Sequence, residues 1–396
     1  MTHHISGALT LALTLAGCQL ISGLSDLHEG TGSSSSAGGA GGSSSSSSSS
    51  SSTGGSSSSS SSSSSGSTSS SSSSSSGVPC TGGGTLGDKS NCGACGHGCG
   101  QGNCTNNQFC TPYEWAAVDT TPGLPVDIAV DDKNVYWANS TSIHVVNVAS
   151  MAEINIISGV APKRITAANQ VIFWIDDTAP AIRRINANGM GSLDLTDNPL
   201  DAEAIAVNAT HVYWSDPTAG RISMMLLSGG TEEHIETTVN GPHELAVDNA
   251  AVYWSDGSSI KRTVGLDTTS VAGEVADFAF IAADADESGK VLWTTGKTAP
   301  GVWVAAKQGN STSNAALFAP ATFPGPILVD ATNAYWVDAS QNTCSEPHLY
   351  YRPLAATAVS SVKIGPVPSC DVRLAQDANA LYWIHGMKLM RMVKPL

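Results

Sequence analysis

An aromatic residue or leucine followed by tryptophan recurs seven times along the chain. The pairs are Tyr136-Trp137, Phe173-Trp174, Tyr213-Trp214, Tyr253-Trp254, Leu292-Trp293, Tyr335-Trp336 and Tyr382-Trp383. Successive tryptophans lie 37, 40, 40, 39, 43 and 47 residues apart. A repeat of this length is one supersecondary unit that cannot bury its own apolar face, so it must stack on its neighbours.

The units share one anatomy. Each opens on an apolar stretch, such as Ile128-Ala-Val130, Ile205-Ala-Val207, Leu245-Ala-Val247 or Ile327-Leu-Val329. Most of these stretches end in Asp131, Asn208, Asp248, Asp330 or Asp377, residue types that suit tight turns. The aromatic-Trp strand follows, then a third strand such as Ile182-Arg-Arg-Ile185 or Val302-Trp-Val304, then a Gly-bearing loop and a weaker fourth strand. Continuous apolar first strands fit an inner position buried on both faces. More polar outer strands fit an exposed edge. A period near forty with four strands predicts an all-β chain, a seven-bladed β-propeller. Six blades with one degenerate unit outside the ring is the alternative, since Asp284 to Lys290 stretches the first turn of the fifth unit. The last unit has room for a third strand but not a fourth. Tyr113-Glu-Trp-Ala-Ala-Val118 is expected to supply it and close the ring.

Tyr213-Trp-Ser-Asp216, Tyr253-Trp-Ser-Asp256 and Tyr335-Trp-Val-Asp338 resemble the YWTD repeat of low-density-lipoprotein-receptor-type propellers, over residues 125–396. Ala138-Asn139, Thr294-Thr295 and Ile384-His385 depart from it by lacking the Asp. Those receptor propellers have six blades, against seven units here. A large ring at a fixed place in every unit reads as packing between blades. The Asp after the tryptophan is expected to cap turns between blades.

The N-terminal part cannot share this fold. Thr31 to Ser76 is almost entirely Ser and Gly, which behaves as a flexible coil. Residues 18–79 would reach roughly 40–50 Å. Before the coil, Ala8 to Leu15 is a short apolar run followed by Ala16-Gly17-Cys18. Leu15-Ala-Gly-Cys18 resembles the lipobox of bacterial lipoproteins, although the preceding residues carry no Lys or Arg. The resemblance implies a signal peptide over 1–17 and a lipid on Cys18, which would become the new N-terminus. It implies export and a membrane anchor in the cell envelope, at the outer membrane or cell surface. More than one acyl chain is needed for firm anchoring. No apolar run is long enough for a spanning helix.

Nine cysteines are an odd count, and a lipid on Cys18 leaves eight. Cys80, Cys92, Cys95, Cys99, Cys104 and Cys110 form a Gly-rich module over 80–112, and Cys344 and Cys370 lie far away. The module has almost no apolar residues, so bridges or a metal must hold it. Zinc on Cys92, Cys95, His97 and Cys99 is the alternative, but the crowded spacing and an oxidising compartment favour disulfides. Their connectivity stays open within the module. Cys344 and Cys370 are expected to tie the long loop of the sixth unit to the start of the seventh. The propeller then occupies 113–396.

Lys and Arg number 18 against 33 Asp and Glu, a net charge of −15. That balance excludes a nucleic-acid partner, which needs a basic stripe. No Gly-x-Ser-x-Gly, His-Glu-x-x-His, P-loop or dinucleotide fingerprint occurs, and no cofactor or metal is expected. Propellers bind at the channel mouth near the start of the inner strands. The candidates there are Asp127, Lys163, Arg164, Glu203, His243, Glu244 and Arg373. His243-Glu244 is the one local acid–base pair, but neighbours on a strand face opposite ways. The expected function is that of a monomeric, surface-tethered, non-catalytic binder of a protein or glycan. The alternatives are a metal-assisted lyase or hydrolase of the virginiamycin-lyase-like type and a purely structural envelope protein.

Overall fold

The computed structural model describes residues 90–92, 97–105, 109–118 and 123–395, apart from short loops at 179, 197–200, 240, 274–277, 287–288, 297–298, 309–314, 341–343 and 358–359. The signal segment, Cys18, the tether, Cys80 and Cys95 lie outside the described residues. No helix among the described residues is long and apolar enough to cross a membrane.

Seven four-stranded antiparallel sheets form a seven-bladed propeller. Blade 1 runs Pro125–Val130, Asn134–Asn139, Ser142–Asn147 and Glu153–Ser158. Blades 2 to 6 begin at Pro162–Ala168, Ile205–Val207, Leu245–Val247, Phe278–Ala283 and Ile327–Val329, and each is made of consecutive strands. The fifth unit is a full blade despite its stretched turn. Blade 7 has Leu374–Gln376, Ala380–His385 and Lys388–Val393, and its outer strand is Tyr113–Ala117 from the other end of the propeller. Tyr113 pairs with Arg391 and Ala117 with Lys388. The Arg391 guanidinium also donates to the Tyr113 hydroxyl at 2.8 Å.

The aromatic-Trp pair explains why the blades stack. Neighbouring residues on a strand point to opposite faces, so each pair serves two cores. Tyr136 packs with Trp174 between blades 1 and 2, and Phe173 with Trp214 between blades 2 and 3. The sequence continues with Tyr213 and Trp254, Tyr253 and Trp293, Leu292 and Trp336, and Tyr335 and Trp383. Tyr382 and Trp137 complete the circle, joined there by Trp115 of the N-terminal strand. All seven tryptophans are fully buried. The cores therefore lie between blades.

The Asp or Asn ending the inner strand has two tasks. One side-chain oxygen accepts the backbone N–H groups two and three residues on, as Asp377 does from Asn379 and Ala380 at 2.7 Å each. The other end of the side chain holds the tyrosine hydroxyl of the same blade. Tyr136, Tyr253, Tyr335 and Tyr382 donate to Asp131, Asp248, Asp330 and Asp377 at 2.7, 2.8, 3.1 and 2.8 Å. Asn208 donates instead to the Tyr213 hydroxyl at 3.2 Å. Burial, reinforced by the adjacent carboxylates, pushes those four Asp-bound phenols well above their usual range. Blade 2 has Phe173, with no hydroxyl, and no Asp to match. Its turn is instead a two-residue hairpin with Asn169 and Gln170 at φ 53° and 63°, as a type I′ turn requires.

Blade 5 replaces the clamp differently. Leu292 has no hydroxyl, and Asp284 accepts the Lys290 N–H at 2.8 Å. Lys307, fully buried, places its ammonium 2.8 Å from Asp248 Oδ2 and 3.1 Å from Asp284 Oδ1. It also donates to the carbonyls of Asp284 and Asp286 and lies 5.3 Å from the Tyr253 ring centroid. Lys394 repeats the arrangement on Asp330 and Tyr335, at 3.0 Å and 5.7 Å.

The Asp of the YWxD motif was expected between blades, and Asp338 does reach back to the backbone of Thr322 and Phe323. Asp216 and Asp256 instead cap the turn inside their own blade, through the N–H groups of Ala219 and of Ser258 and Ser259. The short turns after their strands put those donors nearer than the inter-blade loop. Burial opposes ionisation of Asp256, but the Ser258 and Ser259 hydrogen bonds outweigh it and bring its pKa down to about 2. A depressed carboxyl contributes stability above its unfolded pKa of about 4 and loses it as pH falls further. The melting-temperature gap between the native chain and Asp256→Ala should therefore shrink from about pH 5 to about pH 2. A gap independent of pH would show that Asp256 acts only through shape.

Two bridges hold the cysteine module, Cys92–Cys104 and Cys99–Cys110. Three of these sulfurs, on Cys92, Cys99 and Cys110, lie within 4.8 Å of one another, but as bridge members rather than ligands. His97 turns its Nδ1 to the Cys92 carbonyl. Phe109 enters the core between blades 6 and 7, meeting Tyr351 edge-on. The module is thus seated on the propeller.

Candidate functional site: the mouth at the start of the inner strands

Inner strands begin at one mouth of the channel and end, at the Asp turns, at the other. The second mouth is a funnel of about 1200 Å³ ringed by turn residues including Asp131, Asp248, Asp330 and Asp377, with Val247 and Val329 inside. Those carboxylates are engaged in the turns and clamps described above.

The first mouth gathers the residues singled out from the sequence, in three groups. Glu244, entering blade 4, reaches across to Arg164 of blade 2 and Arg373 at the entry to blade 7. Its Oε1 accepts from Arg164 Nη2 at 3.4 Å and Arg373 Nη1 at 3.3 Å. The Arg373 guanidinium lies 5.7 Å from the Phe280 ring of blade 5. Asp127 belongs to the same neighbourhood. Its oxygens accept the N–H groups of Ile128 at 3.0 Å and Ile165 at 2.9 Å, stapling blade 1 to blade 2. Burial raises the carboxyls of both Asp127 and Glu244, against the opposing pull of Arg373 and Arg164.

The remaining three residues lie apart from this cluster. Lys163 pairs with Asp201 at 3.4 Å. His243 Nδ1 is 2.6 Å from Glu203 Oε2, with the ring more than half exposed. His243 and Glu244, adjacent in sequence, therefore enter different networks.

A cleft of about 410 Å³ opens beside the central cluster, between blades 7 and 1. Its floor includes Asp127, Arg164 and Arg373, its rim Asp371, and its lip Leu124 and Val126. Leu124 is 68% and Val126 42% exposed. The Cys344–Cys370 bridge pins the segment that carries Asp371 and Arg373. Gly325 is required there, because a Cβ would sit 1.9 Å from the Cys370 carbonyl oxygen.

One constellation escaped the sequence reading. Ser142 Oγ is 2.9 Å from His144 Nε2, and His144 Nδ1 is 3.3 Å from Glu153. The Ser-x-His spacing, which places both side chains on one face of a strand, was the available signal. Ser142 also bonds Asn139, and His144 is buried flat against Trp137 with ring centroids 4.0 Å apart. Neither residue lines the cleft or the funnel. The group braces blade 1.

The chain is a seven-bladed propeller with a charge-braced channel mouth and a cleft beside it. No protein-family model matches it. No curated protein matches its sequence. Among solved structures, it is similar to a catalytically inactive variant of virginiamycin B lyase from Staphylococcus aureus, crystallised with quinupristin. The TM-score is 0.57 and identity 13%, covering 72% of this chain and 99% of that one. It is also similar to the tricorn protease, with a TM-score of 0.52, 9% identity and 72% coverage of this chain. The match spans about a third of that protein's length, 35%. A further likeness is to the nidogen/laminin complex, at a TM-score of 0.44 and 15% identity, covering 58% of this chain and 92% of that one. At these identities the likeness to the lyase and to the tricorn protease is one of fold.

Proposed function

We propose that this chain is an envelope lipoprotein, tethered through Cys18, whose propeller binds a protein or glycan at the first mouth without transforming it. The observation that carries this reading is the cleft itself, an apolar lip over a floor of guanidiniums fixed by Glu244. Pre-fixed polar groups set beside apolar side chains in a concavity are what a recognition site needs. Glu244 is engaged by the two arginines, which suits positioning better than proton transfer.

A second reading, the metal-assisted lyase or hydrolase, draws on the exposed His243–Glu203 pair, since a carboxylate-oriented imidazole can act as a base. A divalent ion bound stoichiometrically and lost in His243→Ala would favour it.

The test uses cells displaying the full chain, probed with printed arrays of glycans and peptides. Native cells should retain a ligand. Val126→Trp, which fills the cleft, should leave the protein on the cells but abolish retention. Cys18→Ala should release the binding activity from the envelope. Retention unaffected by Val126→Trp would remove the mouth from consideration.

A further inference from the structure

We infer that the cleft takes a peptide bearing one carboxylate beside an apolar side chain, a proposal that rests on the mouth being the binding site. Glu244 shows the chemistry from inside the protein. A single carboxylate oxygen already bridges Arg164 and Arg373. Since both guanidiniums touch that one oxygen, they lie within the span of a second carboxylate. Glu244 does not line the cleft, whereas both arginines do. Each guanidinium has five N–H donors in a fixed fork. The Arg164 and Arg373 side chains stay 21% and 24% exposed, so Glu244 does not cover them. Donors therefore remain for a ligand, and planar forks suit carboxylates bidentately.

The other lining groups narrow the class. Asp127 is buried, accepts two backbone N–H groups and already faces Arg373 and Arg164, so it is poorly placed to draw a ligand cation. Asp371 on the rim and the net charge of −15 disfavour a polyanion, so the ligand carries one carboxylate rather than a run of them. Leu124 and Val126 stand exposed directly beside the charged floor and call for an apolar neighbour to that carboxylate. Sugar rings pack on aromatic faces, and among the described residues none of the exposed large apolar side chains is aromatic. A peptide fits this lip better than a glycan. Its carboxylate is either the chain terminus or an Asp or Glu side chain.

The probe is a dye-labelled hexapeptide library randomised over residues other than Asp and Glu, offered to the full chain in three forms. These carry a free C-terminal carboxylate, a C-terminal amide, or an amide with one internal Glu. Fluorescence polarisation of the native protein is sufficient, so the result does not depend on a variant folding. The free-acid or internal-Glu form should bind about ten- to a hundredfold more tightly than the plain amide, as charge-assisted hydrogen bonds imply. Whichever form binds identifies the source of the carboxylate. Arg373→Gln should erase the preference while leaving apolar-dependent binding. Equal binding of all three forms, or binding only of glycans blocked by Val126→Trp, overturns this inference and leaves the mouth a binding site. Binding that survives Val126→Trp defeats the mouth reading itself.

Discussion

Lys307→Met should lower the unfolding free energy by about 3–5 kcal/mol, the cost of removing one partner from a buried ion pair. The ammonium is the shared counter-ion of Asp248 and Asp284, whose side chains are 1% and 6% exposed. Methionine keeps the length and apolar stem but leaves two carboxylates and the carbonyls of Asp284 and Asp286 facing nothing positive. Asp248 also anchors the hydroxyl of Tyr253 and the turn at Ala250 and Ala251, so the loss spreads into blade 4. Hydrogen bonds from Lys307, from Tyr253 and from the backbone of Ala250 and Ala251 outweigh burial and hold Asp248 below the usual carboxylate range. Removing the lysine therefore also makes this Asp easier to protonate. The double variant Lys307→Met with Asp284→Asn removes one of the stranded charges and should recover part of the loss. Urea titrations of the single and double variants decide the matter. A single variant within about 0.5 kcal/mol of native would mean that water reaches this site and solvates both carboxylates.

Trp137→Ala should cost a similar amount, about 3–5 kcal/mol, for deleting a buried tryptophan. What distinguishes this position is where the cavity opens. Trp137 packs with Tyr382, Leu389 and Trp115 at the seam where the ring closes. Hydrogen exchange should accelerate most in Tyr113–Ala117 and Lys388–Val393. Trp254→Ala, between blades 3 and 4, should show a comparable global loss without that local opening. Uniform acceleration in both variants would mean that the seam is no weaker than any other interface.

Much of the fold was legible because the repeat and the closing strand are local patterns. Strand period, turn residues and the missing fourth strand of the last unit each follow from a few neighbouring residues. The double duty of each aromatic-Trp pair follows from strand alternation once the blades are stacked. The Lys307 site was not legible, because its carboxylates come from two blades and its carbonyls from the irregular turn that made the fifth unit look weak. The mouth was legible as a ring of positions but not as a network. Glu244 meets partners 80 and 129 residues away, and no local pattern announces which charge across a channel will find which. The bridges within the cysteine module were likewise open in sequence, since Gly-rich spacing lets many pairings close.

The seam between Tyr113–Ala117 and the third strand of blade 7 carries a consequence for biogenesis. The bonded residues Tyr113 and Arg391 are 278 positions apart. A chain emerging from the N-terminus cannot complete its ring until Lys388–Val393 has been made. Contacts this distant in sequence also form slowly. Tyr113–Ala117, the first propeller strand to be made, therefore waits for its partner Lys388–Val393 until all the strands between them have been synthesised.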